Sequence, residues 1–254
     1  MMPVVFVGHG SPMNAIETNP FTQMWASIGK TLPQPRSILC ISAHWETRGT
    51  RVTTMEWPKT IHDFAGFPDE LFQVNYPCPG NPNLINHIRH HVTGSIESDL
   101  TWGIDHGAWS VLKHMVGDPI IPVVQLSLDR SKSPLDHWKL GRELRALRSD
   151  GVLIVCSGNV VHNLQQLDWG NPTGGFDWAV AADALLTEWV LEDNRDCLTT
   201  LEPFSEPILQ AVPTLEHYLP LVYFSGATDS SDTISSFNQA VILGSLSMTS
   251  FIAH

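Results

Sequence analysis

Four histidines lie beside short apolar runs of this chain, and imidazole nitrogens can bind a metal ion. His9 follows the apolar run in VVFVGHGSP, and His44 lies in CISAHW. His162 lies in IVCSGNVVHN, and His217 precedes LVYF in TLEHYLP. Imidazole clusters suit Zn, Fe, Cu or Ni rather than Mg or Ca. The spacing matches neither HExxH nor a zinc finger, so a metal site forms only if the fold brings these residues together.

A fifth histidine, His106, follows Asp105 in DHGAWS, and the helix-like segment WSVLKHM comes next. Asp105 could orient or acidify its surroundings, while His106 could exchange a proton or bind an anionic substrate oxygen. In the alternative interpretation, Asp105 is only a helix N-cap and His106 is a packed side chain. The sequence leaves both interpretations open. We expect the remaining histidines outside the Pro-rich segment to be solvated and without function: His87, His90, His91, His114, His137 and His254.

Six apolar, β-branched runs are typical of buried strands. They are VVFV from Val4, SILCIS from Ser37, PIIPVVQLSL from Pro119, GVLIVCSG from Gly151, LVYFSG from Leu221 and VILGSLSM from Val241. If the strands that lead to His9, His44 and His162 are parallel neighbours, the three side chains meet at one edge of the sheet.

Helical patterns separate these runs. Leu140, Leu144 and Leu147 recur at helical spacing after the cap Ser133-Pro134, and Gly151 follows the last turn. A second stripe has the same period and predicts core packing: Trp178, Ala182, Leu185 and Trp189. Alternating strands and helices predict one three-layer α/β domain over residues 1–254, with a largely parallel or mixed central sheet.

Two irregular segments interrupt the pattern. The stretch from Trp57 to Pro82 is rich in proline and glycine, and we expect an ordered loop over a site. Its residues His62, Asp63, Phe64 and Phe67 could cover a bound ring, and the alternative is an ordinary packed surface loop. The second segment extends from Glu202 to Pro220.

Composition narrows the possible partners. A net charge of −12 without a basic cluster argues against nucleic acid. No apolar run reaches membrane-spanning length, and we expect a cytoplasmic protein without a membrane partner. The cysteines are far apart and form no CxxC, which argues against a disulfide framework: Cys40, Cys78, Cys156 and Cys197. The sequence does not predict the oligomeric state.

Eight blocks along the chain together resemble a known family: GHGSPMNAI, ISAHWETRG, IHDFAGFP, DHGAWSVL, PVVQLSLD, SGNVVHNL, PTLEHYLPL and LGSLSM. They resemble the DOPA 4,5-dioxygenase group of the class III extradiol ring-cleavage dioxygenases, which is related to the LigB subunit. The resemblance implies a LigB-like domain with one divalent metal ion. It assigns the metal-site role to His9, His44, His162 and His217. It also implies that Fe²⁺ is needed for ring cleavage. We expect Zn²⁺ in the isolated protein, because nitrogen-rich sites favour Zn²⁺ over Fe²⁺ in affinity.

The resemblance leaves two roles open. Wider-family enzymes hold Fe(II) with two histidines and one carboxylate, so both Glu216 and His217 are candidates for the third ligand here. His217 is favoured by the resemblance, with Glu216 orienting an imidazole. The residue that matches His162 resembles an acid/base group in the wider family, so His162 is either a ligand or an acid/base.

The implied reaction is cleavage of a catechol such as DOPA by dioxygen, next to the diol. His162 or His106 would accept protons from the diol. Two alternatives from other classes are a zinc-dependent hydrolase and a non-enzymatic binding protein similar to Memo proteins.

Overall fold

The computed structural model describes residues 1–117, 120–200 and 206–254, which contain one large mixed sheet and a small hairpin. The strands are β1 (Val4–Gly8), β2 (Ser37–Thr47), β3 (Arg51–Thr53), β4 (Glu97–Asp99), β5 (Val123–Asp129), β6 (Val152–Gly158), β7 (Ile234–Phe237), β8 (Val241–Ile242), β9 (Leu246–Ser247) and β10 (Ser250–Ala253). The large sheet has the order β4-β3-β5-β2-β6-β1-β10-β7, and β8 pairs with β9 in the hairpin.

Helices separate and cover the strands. The α-helices are α1 (Pro20–Thr31), α2 (Asp69–Phe72), α3 (Pro82–His91), α4 (His106–Met115), α5 (Pro134–Leu144), α6 (Asp177–Leu191), α7 (Arg195–Thr200), α8 (Glu206–Ala211) and α9 (Leu219–Ala227). Short 3-10 helices cover Pro12–Ala15, Arg145–Asp150 and Leu164–Gln166. Among the described residues, no helix is both long enough and apolar enough to cross a membrane.

The centre of the sheet is parallel. Strand β6 pairs in parallel with β1 on one side and with β2 on the other, and β2 pairs in parallel with β5. The outer strand β10 pairs antiparallel with β1. The mixed sheet confirms the predicted fold class, and the carboxyl ends of β1, β6 and β2 lie side by side.

Strand β1 shows how the sequence forms three layers. Side chains alternate between the two faces of a strand. Val4 and Phe6 pack in the core beneath α5 and α9, whereas Val5 and Val7 pack in the opposite core beneath α1 and α4. Both faces are therefore buried, which explains the continuous apolar run.

Both predicted amphipathic helices are present. Ser133 caps α5 by accepting a hydrogen bond from the backbone of Asp136, and Gly151 ends the following 3-10 turn with a φ of 80°. In α6, Ala182 and Trp189 are buried in the core. The stripe is thus core packing, as predicted.

One strand prediction was wrong, and a second was confirmed only in part. The run from Leu221 lies in α9, where every residue is buried, so it lacks the polar face that marks a helix in sequence. Pro220 sits in the first turn of α9, where its fixed φ favours a helix. The run from Val241 forms only the β8–β9 hairpin, whose turn holds Leu243 and Gly244 at positive φ.

Two predicted segments extend beyond the described residues. Pro119, at the start of one run, lies outside them, and the part of that run from Val123 to Leu128 lies in β5. The segment from Glu202 to Pro220 begins among residues 201–205, which also lie outside, and its described part contains α8. Asp63 in the Pro-rich loop accepts a hydrogen bond from the backbone N–H of His106, which attaches this loop to the start of α4.

Candidate metal centre and substrate cavity

Three of the predicted ligands converge at the carboxyl edge of the sheet. One ring nitrogen from each of His9, His44 and His217 lies within 4.8 Å of the others. His9 directly follows β1. His44 lies in β2 where the pairing with β5 shifts register, and such irregularities re-aim side chains.

Gly158 lets the third histidine approach the sheet. A Cβ atom at this position would lie 2.2 Å from the carbonyl oxygen of His217, so a larger residue would force the two segments apart. The backbone N–H of Asn159 donates to the same carbonyl at 2.9 Å. This close backbone contact places His217 beside the end of β6.

Ser157 determines the proton position on His9. The Ser157 hydroxyl donates to the carbonyl oxygen of Gly107 at 2.5 Å, so its oxygen accepts from His9 Nδ1 at 3.0 Å. Burial, followed by repulsion from His44, lowers the pKa of His9 well below its ordinary value. The ring is therefore neutral, and its Nε2 atom carries a lone pair.

Asp63 fixes the proton on His44 in a similar way. Its Oδ2 atom lies 3.3 Å from His44 Nδ1 and 3.0 Å from His106 Nδ1. Burial alone would raise the pKa of Asp63, but the contacts with His106 and His44 hold that pKa below its ordinary value. These contacts are ion-pair distances, and His106 Nδ1 has no well-aligned hydrogen-bond partner among the described residues, but an ionised carboxylate still favours a proton on each Nδ1 atom that faces it. Burial, with repulsion from His106, lowers the pKa of His44 to about 3, so His44 Nε2 also carries a lone pair.

These proton positions leave two lone pairs facing each other. His9 Nε2 and His44 Nε2 lie 3.1 Å apart, and neither ring has a proton to place between them. Such a pair is repulsive, and a cation bound by both nitrogens removes the repulsion. The residues therefore fit a metal ion that prefers nitrogen ligands.

His217 and His162 form a stacked pair beside this centre. Their ring centroids are 3.4 Å apart and their planes differ by 8°. Glu216 Oε1 lies 3.2 Å from His217 Nδ1, as expected for a carboxylate that orients a ligand. Burial lowers the pKa of His217 well below its ordinary value and that of His162 to about 4, so both rings are neutral.

His106 lies at the start of α4, with its ring centroid 3.9 Å from that of His44. Asp105 is the N-cap of α4 and accepts from the backbone N–H of Ala108, as the alternative interpretation expected. Its side chain also accepts from Ser42 at 2.7 Å and from Gln125. Burial and repulsion from Asp63 raise the pKa of Asp105 to about 6. The carboxylate that orients the His106 ring is Asp63, not Asp105.

All five histidines line one cavity of about 440 Å³. The Pro-rich loop contributes Phe64 and Phe67 to its wall. His62 does not line it, because its Nε2 atom lies 2.8 Å from the carbonyl oxygen of Val74 in the same loop. The cavity is thus lined by imidazoles at its buried end and, apart from Ser11, by apolar side chains and glycine elsewhere.

Comparisons with known proteins agree with this geometry. Residues 3–242 match the family of the catalytic LigB subunit of aromatic ring-opening dioxygenase. The chain is 43% identical to a 4,5-DOPA dioxygenase extradiol of Escherichia coli K12, over 98% of this chain and 93% of that protein. The chain belongs to the LigB family.

Other relatives extend the comparison. This LigB-family chain is 36% identical to a 4,5-DOPA dioxygenase extradiol of Beta vulgaris, over 87% of this chain and 85% of that protein. The crystal structure of an uncharacterized Escherichia coli K12 protein matches with a TM-score of 0.87 and 38% identity, covering 99% of both chains. The predicted enzyme class is confirmed: this LigB-family chain is an extradiol ring-cleaving dioxygenase rather than a hydrolase or a binding protein.

Sequence reasoning missed several contributors. Ser157 gave one usable signal, because it is a polar residue inside a buried parallel strand. Leu167 and Trp169 line the cavity from the loop that follows the 3-10 helix Leu164–Gln166, and this loop has no recognisable motif. Two histidines that were expected to be solvated are not. His137 is buried beside the Tyr223 hydroxyl, and half-buried His114 lies 2.7 Å from the carbonyl oxygen of Asn14.

Proposed function

We propose that this chain cleaves the ring of a catechol with dioxygen, next to the diol, and that DOPA is a substrate. The observation that carries the proposal is the pair of bare Nε2 atoms of His9 and His44, 3.1 Å apart at the buried end of an apolar cavity. The names of the Escherichia coli and Beta vulgaris relatives support DOPA as the first diol to test.

We propose one divalent ion per chain, held by His9, His44 and His217, with Glu216 orienting His217. Fe²⁺ would supply the redox chemistry and the open positions that dioxygen and a diol require. Zn²⁺ is expected in isolated protein because nitrogen sites bind it more tightly than Fe²⁺, but it has no redox chemistry. Neutral imidazoles at physiological pH support this ligand set.

We propose that His162 acts as an acid/base group. The sequence left open whether it is that or a metal ligand. Among the described residues, the group that contains His9 and His44 within 4.8 Å includes His217 but not His162. A neutral His162 that lines the cavity can accept a proton from a diol oxygen.

His106 is the second proposed acid/base. Its Nδ1 atom faces Asp63, so Nε2 is the basic nitrogen and can accept a diol proton. The Asp63 carboxylate then stabilises the imidazolium that forms. Phe64 and Phe67 limit the access of water to these groups.

We further propose that residues 1–254 form one catalytic domain in the cytoplasm, without nucleic acid or a membrane as partner. The single large sheet, which includes strands from both ends of the chain, supports the domain assignment. The free cysteines support a reducing compartment.

Anaerobic loading with Fe²⁺ followed by addition of DOPA and oxygen tests the proposal. We expect uptake of one O₂ per diol and a yellow ring-opened product, and we expect neither with Zn²⁺. Absence of both signals from iron-loaded protein with every catechol tried would contradict the function.

His44→Ala tests the ligand assignment. We expect the variant to fold but to lose its metal, because one nitrogen of the centre is removed. Metal content after desalting is the measurement, and the surface variant His90→Ala is the control. Normal metal content in His44→Ala would exclude His44 as an essential ligand.

A further inference from the structure

Large apolar side chains at the mouth of the cavity are exposed to solvent. Leu164 is 57% exposed and Trp169 is 76% exposed, and both line the cavity. Leu164 lies in the short 3-10 helix Leu164–Gln166, and Trp169 follows in the next loop. Because both side chains line the same cavity, they differ from the isolated exposed apolar residues that are ordinary on a protein surface.

The apolar surface continues inward from this mouth. Phe64 and Phe67 line the cavity from the Pro-rich loop, and Leu243 and Leu246 line it from the β8–β9 hairpin. Apart from Ser11, the polar side chains that line the cavity and could meet a diol are the five histidines, of which His9 and His217 are buried. A catechol with its hydroxyls toward the histidines therefore directs its ring substituent toward apolar side chains.

Charged partners for that substituent are missing from the lining. None of the described residues that line the cavity is Asp, Glu, Lys or Arg. The nearby carboxylates contact histidines: Asp63 faces His44 and His106, and Glu216 faces His217. A substrate carboxylate would find no cation among the lining residues, and the net charge of −12 would disfavour its approach.

We infer that the cavity selects catechols whose ring substituent is apolar over catechols whose substituent is a carboxylate. The inference rests on the proposed function, because it places the diol at the histidines. It also implies that the ammonium and carboxylate of DOPA remain in solvent at the mouth and contribute little to binding. An alkyl chain instead covers Leu164 and Trp169, with an expected gain in affinity of about fourfold for each added methylene.

Binding to Zn²⁺-loaded protein without oxygen tests the inference independently of turnover. Calorimetry would compare catechol, 4-butylcatechol and 3-(3,4-dihydroxyphenyl)propanoate. We expect 4-butylcatechol to bind at least about tenfold more tightly than catechol, and the propanoate to bind no more tightly than catechol. Equal or tighter binding of the propanoate relative to 4-butylcatechol would overturn the inference.

Two pairs of variants test whether Leu164 and Trp169 cause the tighter binding of the alkyl diol. Trp169→Ala and Leu164→Ser should each reduce the advantage of 4-butylcatechol over catechol by about threefold or more. Trp57→Ala and Leu100→Ser are matched controls, because Trp57 is 64% exposed and Leu100 is 69% exposed but neither lines the cavity. An unchanged advantage in both cavity variants would overturn the inference. So would a dimer that Trp169→Ala dissociates without a change in diol affinity, because the apolar mouth would then be a protein contact.

Turnover of the iron-loaded enzyme separates the two proposals. Selective binding of 4-butylcatechol without oxygen uptake from any diol would contradict the proposed function and leave the inference standing. Oxygen uptake with DOPA and catechol, but no preference for the alkyl diol, would support the function and overturn the inference.

Discussion

Each histidine of the proposed metal centre has a partner that determines where its proton lies. The Nδ1 atom of His9 contacts Ser157, that of His44 contacts Asp63, and that of His217 contacts Glu216. Such partners orient a ring and set its basicity, and they influence metal affinity without touching the ion. At the residue scale, the chemistry therefore depends on these partners as well as on the imidazoles.

Ser157→Ala should weaken metal binding by about tenfold, because His9 loses the acceptor that keeps its proton on Nδ1. Competition with a chelator measures the affinity. Ser225→Ala is the control, since the buried Ser225 hydroxyl has no hydrogen-bond partner among the described residues. Equal metal affinity in the two variants would show that Ser157 does not position His9.

Asp63→Asn should reduce metal affinity and turnover together, each by about tenfold, because one carboxylate serves both His44 and His106. His106→Ala should instead retain the metal and slow only turnover. Metal content and kcat at saturating iron separate the two effects. Asp69→Asn, an exposed aspartate in the same loop, is the control. If Asp63→Asn changed turnover with full metal affinity, the contact with His44 would have no role.

At the scale of elements, the start of α4 connects the proposed metal centre to the sheet. Asp105 caps this helix from a fully buried position and is bound by Ser42 of β2 and Gln125 of β5. Gly107 follows His106, and a Cβ there would lie 2.8 Å from His44 Cδ2. Helix α4 and strand β2 thus approach closely enough for Asp63 to contact a histidine from each.

Asp105→Ala should lower the free energy of unfolding by about 3 kcal/mol, because it removes a cap and leaves buried donors without an acceptor. Ser133→Ala removes the cap of α5, at a more exposed position, and should cost about 1 kcal/mol. Urea denaturation of the metal-free proteins measures both. Equal losses would indicate that the buried network around Asp105 adds nothing to its role as a cap.

At the scale of the whole molecule, burial keeps most of the interior histidines neutral. His137 is an example remote from the metal centre: it is fully buried on α5 beside the Tyr223 hydroxyl. Burial lowers its pKa from an ordinary value of 6.5 to about 4. In this pH interval the unfolded chain binds a proton that the folded chain does not, so acid destabilises the fold.

The free energy of unfolding should therefore fall as pH decreases from 6.5 to about 4. His137 contributes nothing above this interval and up to about 3 kcal/mol of the loss across it. His137→Asn should reduce the slope, while His90→Asn on the surface should not. Urea titrations of metal-free protein at several pH values give the slopes. An unchanged slope in His137→Asn would mean that His137 is protonated in the folded protein.

The sequence by itself determined the class of the fold and the two amphipathic helices, and it predicted the histidines of the proposed metal centre. These features are local. Strand periodicity, helix caps and the position of a histidine next to an apolar run can each be recognised from a short stretch of sequence, as for His9 and His44. The family blocks added the enzyme class. The run in α9 was misread because a helix buried on every side has no polar face to reveal its period.

Only the tertiary structure decided which groups touch. Asp63 meets His44 and His106 because a loop folds across the sheet edge, and Ser157 meets His9 because β6 lies beside β1. The apolar mouth at Leu164 and Trp169 likewise became visible only beside the histidines. Proton positions and cavity walls depend on distances between residues far apart in the chain, and those distances are set by packing rather than by spacing in the sequence.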